Sequence, residues 1–174
     1  SAKEEIVILS SADILIPNDT VDKIISPLKK QDIGIVGSHP IPVNDPSSFF
    51  GFAAHLMWAL HHQISLKSPK MGEFIAFRKI FKQIPLTSAV DEASIEALIR
   101  GQGYKAFYAP YAIIYNKGAE NFKEFITRRR HIYAGHLETK NKYSYNVSTI
   151  SVSKIIFALI KSFKFSRRFI FWTP

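Results

Sequence analysis

The sequence predicts an α/β fold, and three observations carry that expectation. Residues Ile6 to Leu9 form a β-rich apolar run without polar alternation, the pattern of a strand covered on both faces and hence of a central parallel strand. A helical segment and a second strand, Ile33 to Gly37, follow at β-α-β spacing. Strand-like and helix-like patterns then keep alternating as far as Leu137.

Each element has a local reason. Pro17 ends the first strand region, Asn18 to Thr20 can cap, and Val21 to Leu28 reads as a short helix. Residues 38–48 hold three prolines with Asn44 and Asp45, which predicts a loop. A helix carrying Leu56, Leu60 and Ile64 comes next, then a strand or turn over Met71 to Arg78. Asp91 to Arg100 reads as a helix stopped by Gly101 and Gly103, and Tyr104 to Tyr108 and Ala112 to Tyr115 as two short strands. From Glu120 to Leu137 the residues Phe122, Phe125, Ile126, Ile132, Tyr133 and Leu137 keep helical spacing.

A chain of 174 residues that is 47% hydrophobic buries a single core and predicts one folded domain over residues 1–145. An α/β sheet ordinarily has more parallel strands than this, and a strand of central type stands at residue 6. The chain is therefore expected to be the C-terminal part of a larger domain, a complete small α/β domain being the alternative. Its first strand would then present an open edge for self-association.

The formal charge is +9, and residues 117–174 account for it with twelve Lys or Arg against three Glu, while residues 1–116 hold eleven of each sign. Such asymmetry favours an anionic partner for the C-terminal third: phosphate, lipid surface or nucleic acid. No nucleic-acid motif accompanies the basic residues. Over residues 146–174, Ile155, Phe157, Phe163, Phe165, Phe171 and Trp172 alternate with Lys154, Lys161, Lys164, Arg167 and Arg168, which predicts a basic amphipathic tail in a membrane interface. No run reaches the roughly 18 to 20 apolar residues of a spanning helix. The absence of cysteine excludes disulfides and thiolate metal sites.

Three groups of residues point to chemistry. Asp13 lies just past a strand end, where α/β sheets bind ligands, and can share Mg2+ or Mn2+ with substrate phosphates. Asp91 and Glu92 open a helix, and either becomes a general base if it faces the cleft of Asp13. Arg129 falls three residues after Ile126 and three before Ile132, near the middle of an apolar stripe, so its guanidinium calls for an anion such as phosphate. Arg128 and Arg130 read as its solvated neighbours. His61 and His62, on an otherwise apolar helix, read as structural.

In this order the segments resemble glycosyltransferase family 2, whose GT-A fold moves a sugar from a nucleotide diphosphate donor. Ser11-Ala12-Asp13 stands in the place of the family's Asp-x-Asp motif, with Ser11 for the first acid. Gly72 to Arg78, with Gly72 and Glu73 at its head, is similar to the segment that lines the acceptor side. Asp91-Glu92 resembles the acidic pair whose second member acts as base. Gly103-Tyr104-Lys105 is similar to the strand that follows. Arg128 to Gly135 resembles the Gln-Arg-x-Arg-Trp helix on the donor diphosphate, with Arg128 for Gln, Arg129 kept, His131 for the second Arg and Ile132 for Trp.

The resemblance covers residues 5 to about 140 and implies a partial GT-A domain without its N-terminal strands, holding half of a donor site. It implies an inverting, metal-assisted hexosyltransferase-like enzyme on the cytoplasmic membrane face or in the cytoplasm. Its donor would be a nucleotide sugar, and its acceptor a saccharide or a lipid-linked one. Arg128, Arg129, Arg130 and His131 would hold the diphosphate, and loss of the Trp speaks against a processive enzyme. The rival expectation is a non-enzymatic basic module that binds anionic lipid or nucleic acid.

Overall fold

A computed structural model describes residues 4–81 and 91–145, together with 153 and 155–157. Its strands are β1 (Ile6–Ser10), β2 (Ile14–Leu15), β3 (Ile33–Pro42), β4 (Phe74–Arg78) and β5 (Lys105–Asn116); its α-helices are α1 (Thr20–Ile25), α2 (Phe49–Ser65), α3 (Asp91–Gly101) and α4 (Phe122–Tyr143). Among the described residues the strands form one sheet in the order β1-β4-β3-β5-β2. β3 runs parallel to β5, whereas β4 is antiparallel to both β1 and β3. The class is α/β, as expected, with a mixed sheet.

Side-chain alternation on β4 explains why both faces are covered. Phe74 and Ala76 pack with Ile24 and Leu28 on the α1 side, while Ile75 and Phe77 pack with Ile95 and Ile99 of α3 on the other. Thr20 is fully buried and donates to the Ile113 carbonyl at 2.7 Å, which fixes α1 to β5. Pro27 lacks an N–H, and the expected helix over Val21 to Leu28 accordingly ends at Ile25 and continues as a 3-10 turn, Ser26–Lys29. The Arg78 guanidinium donates to the carbonyls of Ile33 and Leu28, joining that turn to the start of β3.

Three expectations are corrected. The strands buried on both faces are β3 and β4, whereas β1 is half-buried at one end of the sheet and antiparallel to its neighbour. β3 runs through Pro40 to Pro42 where a loop was expected, because Val43 N–H donates to Asn116 O at 2.9 Å and the register alternates. The two prolines, of opposite parity to Val43, therefore turn their missing N–H groups away from β5, towards the side where the pairing with β4 has ended. The two short strands before Asn116 are one strand broken by a bulge, since Tyr108 faces Gly37 and Ile113 faces His39, and His39 Nδ1 closes the bulge on Pro110 O at 3.0 Å. On α2 the buried stripe is Gly51, Ala54, His61, Ile64 and Ser65, with Leu56 and Leu60 only half-buried.

The helix starts follow capping rules. Ser48 accepts from Gly51 N–H at 3.0 Å, and Asn121 accepts from Glu124 N–H at 2.9 Å while Glu124 reaches back to Glu120 N–H at 3.1 Å. α4 runs to Tyr143, six residues beyond the expected Leu137. No helix among the described residues is long and apolar enough to cross a membrane, and the expected tail over 146–174 lies outside them except for 153 and 155–157.

A Cβ on Gly34 would lie 2.5 Å from Ile99 Cγ2 and 2.6 Å from Tyr104 Cβ, so β3 and α3 approach too closely for any side chain there. Gly34→Ala is expected to destabilise the fold by about 1–3 kcal/mol. Gly101→Ala, with open space around it, should change stability by less than about 1 kcal/mol. Urea midpoints of the two variants check this, and equal midpoints would refute the packing argument.

Candidate active site

The end of the sheet at which β1 and β5 finish and β4 begins carries most of the expected site. Ser11 N–H donates to Glu73 O at 2.9 Å, joining the end of β1 to the residue before β4. Asn116, the last residue of β5, donates from Nδ2 to Glu73 Oε2 at 2.7 Å. The sequence folds this way because β4 is reversed, which brings its first residues beside the last residues of its neighbours.

Over this edge, between α2 and α4, lies a cleft of about 860 Å3. Its polar floor holds Lys70, Gly72, Glu73, Glu92 and Asn116. The α4 wall contributes Phe125, Arg128, Arg129, Arg130, Ile132 and His136, and the α2 wall is largely apolar, with Met57, Trp58 and Ile64 beside His61. Of the residues singled out in the sequence, Gly72, Glu73, Glu92 and Arg128 to Arg130 therefore meet in one place.

The others do not join them in the lining. Asp91 and His131 are exposed outside it, which separates Glu92 from Asp91 as the acid facing the cleft. Asp13 is also exposed, but lies close enough for its charge to act on Glu73. Arg129 departs from the expected buried stripe: it is exposed at the cleft wall, its guanidinium 6.0 Å from the Phe125 ring centroid, because the buried face of α4 is Gly135, His136 and Thr139. Arg128 is tied down, its guanidinium 2.7 Å from Glu124 and donating to Lys117 O at 3.1 Å.

Burial raises the carboxyl of Glu92 above the ordinary range, with Asp91 adding to the effect and Lys70 opposing it. Burial raises Glu73 as well, against the hydrogen bond from Asn116, with Asp13 and Glu92 contributing repulsion. Burial pulls the Lys70 ammonium down to about 8, although Glu96, Glu92 and Glu73 favour its charge. The cleft thus sets partly desolvated carboxylates against cations.

Three cleft residues lie outside the sequence expectations, Lys70, Asn116 and His136, and a fourth, His61, is expected there only as structural. His136 carries a legible signal, since it stands seven residues after Arg129 on the same helix face. His61 shares the buried stripe of α2 and was read as structural. Both ring nitrogens of His61, His136 Nδ1 and Asn116 Oδ1 are buried without a partner among the described residues, at a typical cost of about 1–3 kcal/mol each.

Among the described residues no group of three or more His, Asp or Glu is arranged to hold a metal. Asp13 alone fits a cation shared with a ligand's phosphate oxygens, since Mg2+ and Mn2+ commonly take one or two protein carboxylates.

By sequence, the chain matches no protein-family profile and no curated protein. By structure it is similar to the mannosyltransferase PcManGT from Pyrobaculum calidifontis, solved in complex with GDP-Man and Mn2+, at a TM-score of 0.57 and 18% identity. The match covers 95% of this chain and 52% of that one, so the chain spans about half the length of the protein it resembles. At this identity the likeness speaks for the fold: the chain has a partial glycosyltransferase-like fold.

Lys70 supplies a test of the cleft's electrostatics. Its folded value of about 8 lies below the ordinary 10.4, so between these pH values the unfolded chain binds more protons and stability rises with pH on this group's account. Lys70→Met is expected to melt higher than the parent at pH 7, with the difference shrinking towards pH 10. Thermal melts across that range check this, and a constant difference would refute it.

Proposed function

We propose that the chain is the C-terminal part of an inverting glycosyltransferase that resembles family 2 and acts on a nucleotide-sugar donor. One observation carries the reading: a partly desolvated carboxylate, Glu92, shares a cleft with the arginines of α4, in a fold like that of a protein solved with GDP-Man and Mn2+.

In this reading the acceptor hydroxyl gives its proton to Glu92 while its oxygen attacks the anomeric carbon from the face opposite the leaving group. The bond from that carbon to the phosphate oxygen breaks, and the configuration inverts. The raised affinity of Glu92 for protons brings it nearer neutrality, where a general base works best. Asp91, exposed beside it, keeps electrostatic pressure on it. Arg129 and Arg130 receive the diphosphate and stabilise its growing charge, and Arg128 holds the wall in place. A cation held by Asp13 would neutralise diphosphate oxygens. Gly72 and Glu73 border the acceptor side.

Preceding strands would pair with the open edge of β1 and complete the nucleoside pocket. Without them, that edge, unpaired among the described residues, would be available for self-association. The basic aromatic segment 146–174 would hold the enzyme on the cytoplasmic membrane face.

Titration calorimetry with UDP and GDP, with and without Mn2+, tests the donor site in this chain and in the longer enzyme that the proposal implies. Binding of one nucleotide is expected to require Mn2+ and to weaken about tenfold or more in Asp13→Ala and Arg129→Ala. In the active enzyme Glu92→Gln should lower kcat by about 10²–10⁴-fold with little change in donor affinity. Full transfer activity in Glu92→Gln, or nucleotide binding indifferent to Arg129, would sink the proposal.

A further inference from the structure

The proposed transfer chemistry leaves the deepest polar groups of the cleft without a role. His61 is 6% exposed and neither of its ring nitrogens has a hydrogen-bond partner among the described residues. His136 is 5% exposed, with Nδ1 likewise unpartnered. The fold is able to satisfy imidazoles: His39, His55 and His62 each reach a backbone carbonyl or a tyrosine hydroxyl at 2.8–3.0 Å. The two exceptions both line the cleft and both lie within electrostatic range of Lys70.

The chemistry of these groups narrows what they bind. Burial favours the neutral imidazole in both, taking His136 down to about 4, and a neutral imidazole offers one donor and one acceptor. Lys70, without an ion pair among the described residues, adds donors, and Glu73 and Glu92 in the same floor add acceptors while repelling a further anion. Trp58 stands beside them, its ring 5.1 Å from His61 and edge-on to it, and it lines the same cleft. Mixed donors and acceptors next to an aromatic surface match a ring that carries several hydroxyls on an apolar body.

We propose that His61, His136 and Lys70, beside Trp58, form a subsite for the hydroxyls of a pyranose ring. The ring belongs either to the transferred sugar or to a saccharide acceptor. This inference rests on the transferase reading and assigns the residues that select its sugar.

Trp58 and Trp172 are the two tryptophans of the chain, so Trp172→Phe leaves Trp58 as the sole emitter. In that background the emission is titrated with methyl mannoside, methyl glucoside, GDP-mannose and UDP-glucose, and with GDP and UDP as sugar-free controls. A saturable change with at least one saccharide is expected. Its apparent Kd should rise about tenfold or more in His61→Phe and His136→Phe, and His61→Gln, which restores a donor and an acceptor, should recover most of the loss. Melting temperatures confirm that each variant is folded.

A loss seen with the nucleotide sugar but not with its sugar-free nucleotide assigns the ring to the donor. A loss confined to the methyl glycoside assigns it to the acceptor. Emission indifferent to every saccharide, or binding unchanged in both histidine variants, overturns the subsite. Nucleotide binding without any saccharide response overturns the subsite alone, whereas a saccharide response without nucleotide binding counts against the donor reading and leaves the subsite standing.

Discussion

The arrangement of the cleft depends on the pairing of β3 with an antiparallel strand on one side and a parallel strand on the other. Ile35 and Val36 are fully buried in that position, and Gly37 meets Ile75 of β4 and Tyr108 of β5 at once. A β4 running parallel to its neighbours would carry Glu73 to the opposite end of the sheet. Reversed, it delivers Glu73 to Asn116 and to the end of β1, and β5 cannot slip by one residue without turning its inward side chains outward and moving Asn116 away from Glu73.

Buried polar groups divide into two kinds on the same core. Glu96 is 1% exposed, yet it receives Arg100 at 2.9 Å and the Tyr145 hydroxyl at 2.6 Å, and this satisfied network joins α3 to the residues after α4. Asn44 is likewise spent on structure, its amide pairing with both the N–H and the carbonyl of Gly118. Both ring nitrogens of His61, His136 Nδ1 and Asn116 Oδ1, on residues that line the cleft, have no such partners among the described residues, and neither do Ser38 Oγ and Ser65 Oγ, whose residues do not line it. Satisfied groups hold the wall in place, and each unsatisfied one carries a desolvation cost that the described residues do not offset.

Element types were legible wherever local physics decided them: Gly103, at φ 88°, stops the turn after α3, and the apolar run Ile33 to Gly37 reads directly as strand. The expected helix over Val21 to Leu28, by contrast, runs past Pro27, where α1 has already given way to a 3-10 turn, and the β4 segment reads as strand or turn alike. The sequence concealed what depends on pairing. Ile6 to Leu9 looks the same in a central parallel strand and in a half-buried antiparallel one, and the prolines of β3 announce a loop until the open side of that strand is known. Glu92 and the arginines of α4 were visible because helix starts and cation clusters are local patterns. Lys70 was not, because nothing in Ser68-Pro69-Lys70 signals that its ammonium is buried within electrostatic range of Glu96, Glu92 and Glu73.

Charge distribution gives the cleft its direction. The carboxylates come from the electrically neutral residues 1–116, through Glu73 and Glu92, whereas the arginines come from α4 in the basic third of the chain. A ligand that neutralises Arg129 and Arg130 must therefore present its anionic end to α4 and its uncharged end to the floor. Arg128, already paired with Glu124 and with Lys117 O, has less charge to offer that ligand and more influence on where α4 stands. In the proposed transfer this polarity would set the leaving diphosphate towards α4 and the base in the floor, the arrangement that inversion requires.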